Sequence, residues 1–238
     1  MVKVLGSGSK GNCYILTAGK EKLILDCGIN LLEIKKELNF DLSNVIGCLL
    51  THSHKDHSLS VKGMIAAGID VYSLSEIFEE CKTNHHRLKK IIANKVIEIG
   101  SFKIIPFEVN HTHNDRSYCP TLGFLIKHPA IGKILYATDT YYLNYKFDNV
   151  DHILIECNYS EDILNTIPDY RARVLKSHMS LENLKEALKT WDLSKTKDII
   201  LIHLSSDNSN PEKFKNEIQD LTGIKTYIAS KGLKIWRM

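Results

Sequence analysis

Nothing in this chain is long and apolar enough to cross a bilayer. The longest apolar run is VIGCLL, Val45–Leu50, against the roughly 20 residues that a spanning helix needs. The opening residues, MVKVLGSGSKGN, hold no apolar stretch of signal-peptide length, so no membrane association is expected and a cytoplasmic location is. The six cysteines (Cys13, Cys27, Cys48, Cys81, Cys119 and Cys157) include no C-x-x-C pair. That argues against a zinc knuckle or a disulfide framework and for reduced, packed thiols that ligate nothing. Proline is scarce, and no Pro-, Gly- or Ser-rich linker, low-complexity tract or short-period repeat divides the chain. One domain over residues 1–238 is therefore expected. An excess of one charge is missing too: 31 Lys and Arg against 28 Asp and Glu leave +3, too little to imply a nucleic-acid partner without a local cluster.

What is present is a repeated pattern. Short β-type runs (MVKVLG, CYILTA, KLILDCG, VIGCLLTH) fill the first half, with helical segments at LLEIKKELNF, VKGMIAAG and SEIFEECKTNHHRLKKI. The second half repeats the style with SFKIIPFEVNH, LGFLIKH, KILYATDT, HILIECN and DIILIHLSS, and with helices at SLENLKEALKTW and PEKFKNEIQDL. Many strands with a few helices in each half predict an α/β (α+β) fold of two packed sheets flanked by helices, a four-layer αββα sandwich.

The chemistry is concentrated in THSHKDHSL, Thr51–Leu59, which sets three histidines and an aspartate within six residues. Chance would give that spacing in roughly one such chain per thousand, so it needs a structural context to carry weight. The context is a recurring position: Asp26, His52, His111, Asp139 and His203 each stand where an apolar run ends. A strand end is held by a rigid sheet yet exposed at its edge, which suits a precise and accessible polar cluster. His52 and His54, two apart on an extended segment, point the same way, while Asp56 and His57 after the turn address a neighbouring point. One loop can thus serve two divalent metal ions. The imidazole donors favour zinc, and the carboxylates also admit manganese or iron.

HSHKDH with Asp26, His111, Asp139 and His203 in that order resembles the metallo-β-lactamase superfamily, αββα hydrolases, over nearly the whole chain. The resemblance implies that His52, His54 and His111 hold one metal and Asp56, His57 and His203 the other. Asp139 would bridge both and Asp26 would orient a ligand from behind. NHTHND also offers His113 in place of His111, and the strand-end position favours His111. VLGSGSKGNCYIL, ECNYSEDIL, RARVLKSHMSLEN and LIHLSSDNSNPE narrow the likeness to the YycJ (WalJ) branch, metal-dependent DNA exonucleases of bacteria with phage relatives. The SHMS-then-LIHLSS order also resembles the tRNA 3′-processing endonucleases, which implies catalytic assistance by His178. DHSLSV departs from the glycine that many relatives place soon after the motif.

A nuclease or phosphodiesterase using a metal-bridging hydroxide is the expected activity, with Asp56 and His178 as catalytic groups. The expected partner is a nucleic acid or nucleotide. Arg171, Arg173 and Lys176 ahead of His178, with Ser205 and Asn208 after His203, are the expected substrate contacts. An acyl, lactone or thioester hydrolase, a small cyclic-nucleotide or oligonucleotide phosphodiesterase, and a silent metal-stabilised module are the alternatives. GSGSKGN, Gly6–Asn12, lacks the Gly-Lys-Ser/Thr ending of a P-loop and precedes a strand, so it reads as a tight turn. His85 and His86 read as solvated positions on a charged helix, and His128 and His152 show no partner.

Overall fold

The structure is a computed structural model that describes residues 1–164 and 177–236. Among these residues, one sheet holds β1 (Val2–Gly6), β2 (Cys13–Ala18), β3 (Glu21–Leu25), β4 (Val45–Leu49), β5 (Val71–Ser73), β6 (Leu88–Lys90) and, at its far edge beside β1, β14 (Lys234–Ile235). The second runs in spatial order from β7 (Ile97–Ile99) through β8 (Phe102–Glu108), β9 (Leu122–His128), β10 (Gly132–Ala137), β11 (His152–Glu156) and β12 (Asp198–Ile202) to β13 (Lys225–Ile228). Each sheet begins antiparallel and turns parallel, at β3/β4 in the first and at β10/β11 in the second. The parallel strands all deliver their carboxyl ends to one edge.

Strand chemistry follows from what covers each face. β11 and β12 are buried at every position, as expected of central parallel strands packed on both sides. Leu154, Ile200 and Ile202 join the core shared with the first sheet, while Ile153, Ile155, Ile199 and Leu201 join the core beneath the helices. The period-2 alternation sorts each strand between the two cores. Helices α1 (Leu31–Glu37), α2 (Lys55–Ser58), α3 (Val61–Ala66) and α4 (Ser75–Glu80) belong to the first half, and α5 (Glu161–Leu164), α6 (Leu181–Lys189) and α7 (Pro211–Thr222) to the second. α6 buries Leu181, Leu184, Ala187 and Leu188, and α7 buries Phe214 and Ile218. Side-chain caps start both: Ser180 Oγ accepts from Asn183 N at 3.0 Å and Asn210 Oδ1 from Lys213 N at 3.1 Å. Pro211 opens α7, and Gly223 closes it in the left-handed conformation, φ +69°.

The four-layer expectation is met: two mixed sheets packed face to face with helices outside. One element differs. The helical reading of SEIFEECKTNHHRLKKI holds only for Ser75–Glu80; Lys82 takes a positive φ of 49°, His85 and His86 fall in the following turn, and Leu88–Lys90 pairs in parallel with β5. Edge pairing to an existing strand outweighs a weak helical preference there, and the lysines suit an exposed edge.

Candidate metal centre

The site is built where the carboxyl ends of the strands meet, the usual place for ligands in sheets of this kind. Asp26 follows β3, His52 lies three residues past β4, Asp139 follows β10, Glu156 ends β11 and His203 follows β12. Asp26, Asp139 and His203 all take left-handed backbone conformations, with φ of 54°, 50° and 53°. Three non-glycine residues in that region, one from the first sheet and two from the second, mark a local cost met by the surrounding packing.

The donor atoms converge. Those of His52, His54 and His111 lie within 4.8 Å of one another, and so do those of Asp56, His57 and His203. Asp139 reaches both groups: Oδ2 is 3.1 Å from His57 Nε2, and Oδ1 is 3.8 Å from His111 Nε2 and 3.9 Å from His203 Nδ1. His113 lies outside both groups. Its Nδ1 is 3.1 Å from Nε2 of His54, whose other nitrogen faces His111 Nε2 at 3.2 Å.

Each inward-facing nitrogen is aimed by a bond on the opposite side of its ring. Asp26, fully buried, accepts from His57 Nδ1 at 2.8 Å, from Thr51 N at 2.8 Å and from Tyr136 OH at 2.6 Å. His111 Nδ1 donates to Ser177 O at 2.8 Å. Glu156, absent from the sequence reading, is the largest addition: its Oε1 accepts from His203 Nδ1 at 2.9 Å and from His178 Nδ1 at 2.7 Å, and its Oε2 from Thr140 N and Met179 N. Its signal was available, because Glu156 closes the apolar run HILIE as the other site residues close theirs. Asn12, from the Gly6–Asn12 loop, is also close, with Nδ2 2.9 Å from His57 Nε2.

Electrostatics divide the histidines. Burial, reinforced by neighbouring imidazoles, holds His52 well below its usual pKa, and burial brings His111 down to about 4. Burial also opposes charge on His57 and His203, but carboxylates outweigh it. Asp139 and Asp26 raise His57 well above its usual value, and Asp139, Asp56 and Glu156 raise His203 to about 10. Asp139 is held well below the carboxylate range, because His203 and His57 overcome its burial.

This donor set fits divalent cations. His52 Nε2 is buried and has no hydrogen-bond partner among the described residues, an orphan that a cation in the ligand cluster would satisfy. Four buried or half-buried carboxylates facing the imidazoles supply the compensating charge. The cleft over the centre encloses about 440 Å³ and is lined by His54, Lys55, Asp56, His111, Asp139 and His178, among others.

The remaining expected positions separate. Arg171, Arg173 and Lys176 lie outside the described residues. Ser205 turns its hydroxyl onto Asp207 N and Asn208 N, and Asn208 is buried; neither lines the cleft. His128 bonds Ser101 Oγ at 2.7 Å, and His152 pairs with Asp198 at 2.9 Å. Cys119 packs against His54, with Sγ 3.9 Å from Nε2, and burial pushes its thiol up to about 12.

Residues 21–204 match the family model described as the beta-lactamase superfamily domain. The exodeoxyribonuclease WalJ of Streptococcus pneumoniae serotype 2 is 29% identical over 231 residues, covering 88% of this chain and 83% of that protein. The exodeoxyribonuclease YycJ of Bacillus anthracis is 25% identical over 251 residues, covering 98% of this chain and 92% of its own length. Among solved structures, the metallo-β-lactamase fold protein YhfI from Bacillus subtilis superposes with a TM-score of 0.77 at 18% identity, over 98% of this chain and 97% of that one. No helix among the described residues is long and apolar enough to cross a membrane.

Proposed function

The chain belongs to the beta-lactamase superfamily of hydrolases, and from that premise we propose that it is a dinuclear-metal-dependent phosphodiesterase that degrades DNA as an exonuclease. The observation that carries this reading is His178. It lines the cleft and is fixed by Glu156 beside the two groups of histidine and aspartate donors. Two relatives that cover most of the chain bear exodeoxyribonuclease names.

His52, His54 and His111 would hold one cation, Asp56, His57 and His203 the other, with Asp139 between them. Bound divalent ions, zinc first by donor type, supply a nucleophile from water at neutral pH and neutralise phosphoryl oxygens. The protein's own groups do the rest. Asp26 and Glu156 fix which nitrogen of His57 and of His203 faces inward. Asp56, a quarter exposed and lining the cleft, would accept a proton from entering water. His178 commits Nδ1 to Glu156 and keeps Nε2 for a proton to the leaving oxygen.

The test is a turnover screen of the metal-loaded protein against single-stranded and duplex DNA, RNA, cyclic nucleotides, lactones and β-lactams. DNA shortened from an end is the expected result. Lactone or β-lactam turnover without nuclease activity would overturn the proposal.

A further inference from the structure

A second cavity, of about 480 Å³, adjoins the metal cleft, and Ser9 lines both. The wall between them is the Gly6–Asn12 loop, and this loop is not free to move aside. Asn12 N donates to Asp56 O at 2.7 Å, Ser7 Oγ accepts from His203 N at 2.9 Å, and a Cβ on Gly11 would come within 2.5 Å of Gly28 O. The loop is thus clamped onto the second group of metal donors and leaves Ser9 and Lys10 exposed at its tip.

The second cavity has a mixed lining. Leu5, Ile29, Leu59 and Leu204 give it apolar surface, and Leu59 is 47% exposed. Lys10 and Lys231 line it as well. Lys231 is paired with Glu33, whereas Lys10 has no ion-pair partner among the described residues. In the adjoining metal cleft Lys55 is likewise exposed and without an ion-pair partner among the described residues.

We propose that this cavity is a nucleotide subsite, which receives the nucleotide flanking the scissile phosphate of a DNA strand held across Ser9. The inference rests on the nuclease reading of the metal centre. Apolar surface beside cations matches the two faces of a nucleotide, an uncharged base and an anionic backbone, and the volume lies in the range of ~300–1,000 Å³ usual for small-ligand sites. Continuity with the metal cleft places the ligand next to the reacting bond.

The experiment uses the metal-loaded full chain and the double variant Lys10→Ala/Lys231→Ala, with Leu59→Ser as a separate variant. Binding of a cleavage-resistant, phosphorothioate-linked deoxytetranucleotide is followed by fluorescence anisotropy across a salt series. Turnover of bis(p-nitrophenyl) phosphate, which has no flanking nucleotide, is followed in parallel. The double variant should bind about tenfold more weakly, with a salt slope flattened by roughly 0.7 per lost phosphate contact on a single strand. Leu59→Ser should weaken binding severalfold at unchanged slope. Turnover of the small diester should stay at the parent level in both. Parent-like oligonucleotide binding in every variant overturns the subsite and leaves the nuclease reading intact. Equal losses in oligonucleotide binding and in small-diester turnover overturn it too, because the residues would then act on the centre itself. A parent that binds the oligonucleotide through these residues but shortens no ordinary phosphodiester-linked DNA instead refutes the nuclease reading alone.

Discussion

His54 is engaged through both ring nitrogens, one turned to His111 and the other to His113. Behind His113 stands Glu80, 3.3 Å from its Nε2, and the other carboxylate oxygen of Glu80 takes the Ser53 hydroxyl. The two histidines of NHTHND therefore differ in kind: His111 faces the centre and His113 supports a residue that does. His111→Ala should lose metal and activity together. His113→Ala should keep full metal content with affinity lowered about 10- to 100-fold, the usual effect of removing a ligand's outer partner. Metal analysis with a competing chelator reads both; the opposite pattern exchanges the roles. His178→Ala should keep its metal and lose about 10²- to 10⁴-fold in kcat. Glu156→Gln should lower kcat and loosen the His203 half of the centre at once, since one oxygen serves both rings. If Glu156→Gln behaves as the parent in both respects, that shared role is wrong. The fully buried Glu156 closes its apolar run as the other site residues close theirs, but only the packing shows which rings its carboxylate meets.

At the level of elements, the turn after β3 and the helix α2 interlock. Cys27 N donates to His57 O at 2.8 Å and Ser60 N to Cys27 O at 2.9 Å. Between them Gly28 sits so close that a Cβ there would lie 1.6 Å from Asp56 O. That contact is with backbone, so no rotamer change relieves it. Gly28→Ala should destabilise the fold by about 3 kcal/mol, the upper part of the overpacking range, and should empty the Asp56–His57–His203 donors before the other set. Urea unfolding and metal content check this, and an unchanged midpoint with two metals bound would show that the segment yields. The same lacing explains why strand-end positions were readable as candidates. A run such as KILYATD announces both a buried strand and the place where it stops. The edge strand Leu88–Lys90 was not readable, because it is polar and short and its hydrogen-bond partner, β5, lies elsewhere in the sequence.

For the whole molecule, the centre joins the two sheets. Donors from the first sheet's loops (His52, His54, Asp56, His57) face donors from the second (His111, Asp139, His203) across the cleft. Cations held there would cross-link the halves of the sandwich. At a free metal concentration a thousandfold above Kd, binding adds about 4 kcal/mol of stability. In a chain of this size, stripping the metals should then lower Tm by about 10 °C. Calorimetry before and after chelation, with recovery on adding zinc or manganese, measures it; an unchanged Tm would argue against tight binding. The sequence by itself determined the layer pattern, because burial on one or both faces dictates apolar periodicity residue by residue. It also determined the strand-end donors and the HSHKDH loop, where local spacing is itself the constraint. The tertiary structure alone decided that one buried glutamate serves two imidazoles and that the Gly6–Asn12 loop walls a second cavity. Those relations join residues tens to hundreds of positions apart, and their distances are set by the stacking of two sheets, which no local pattern records.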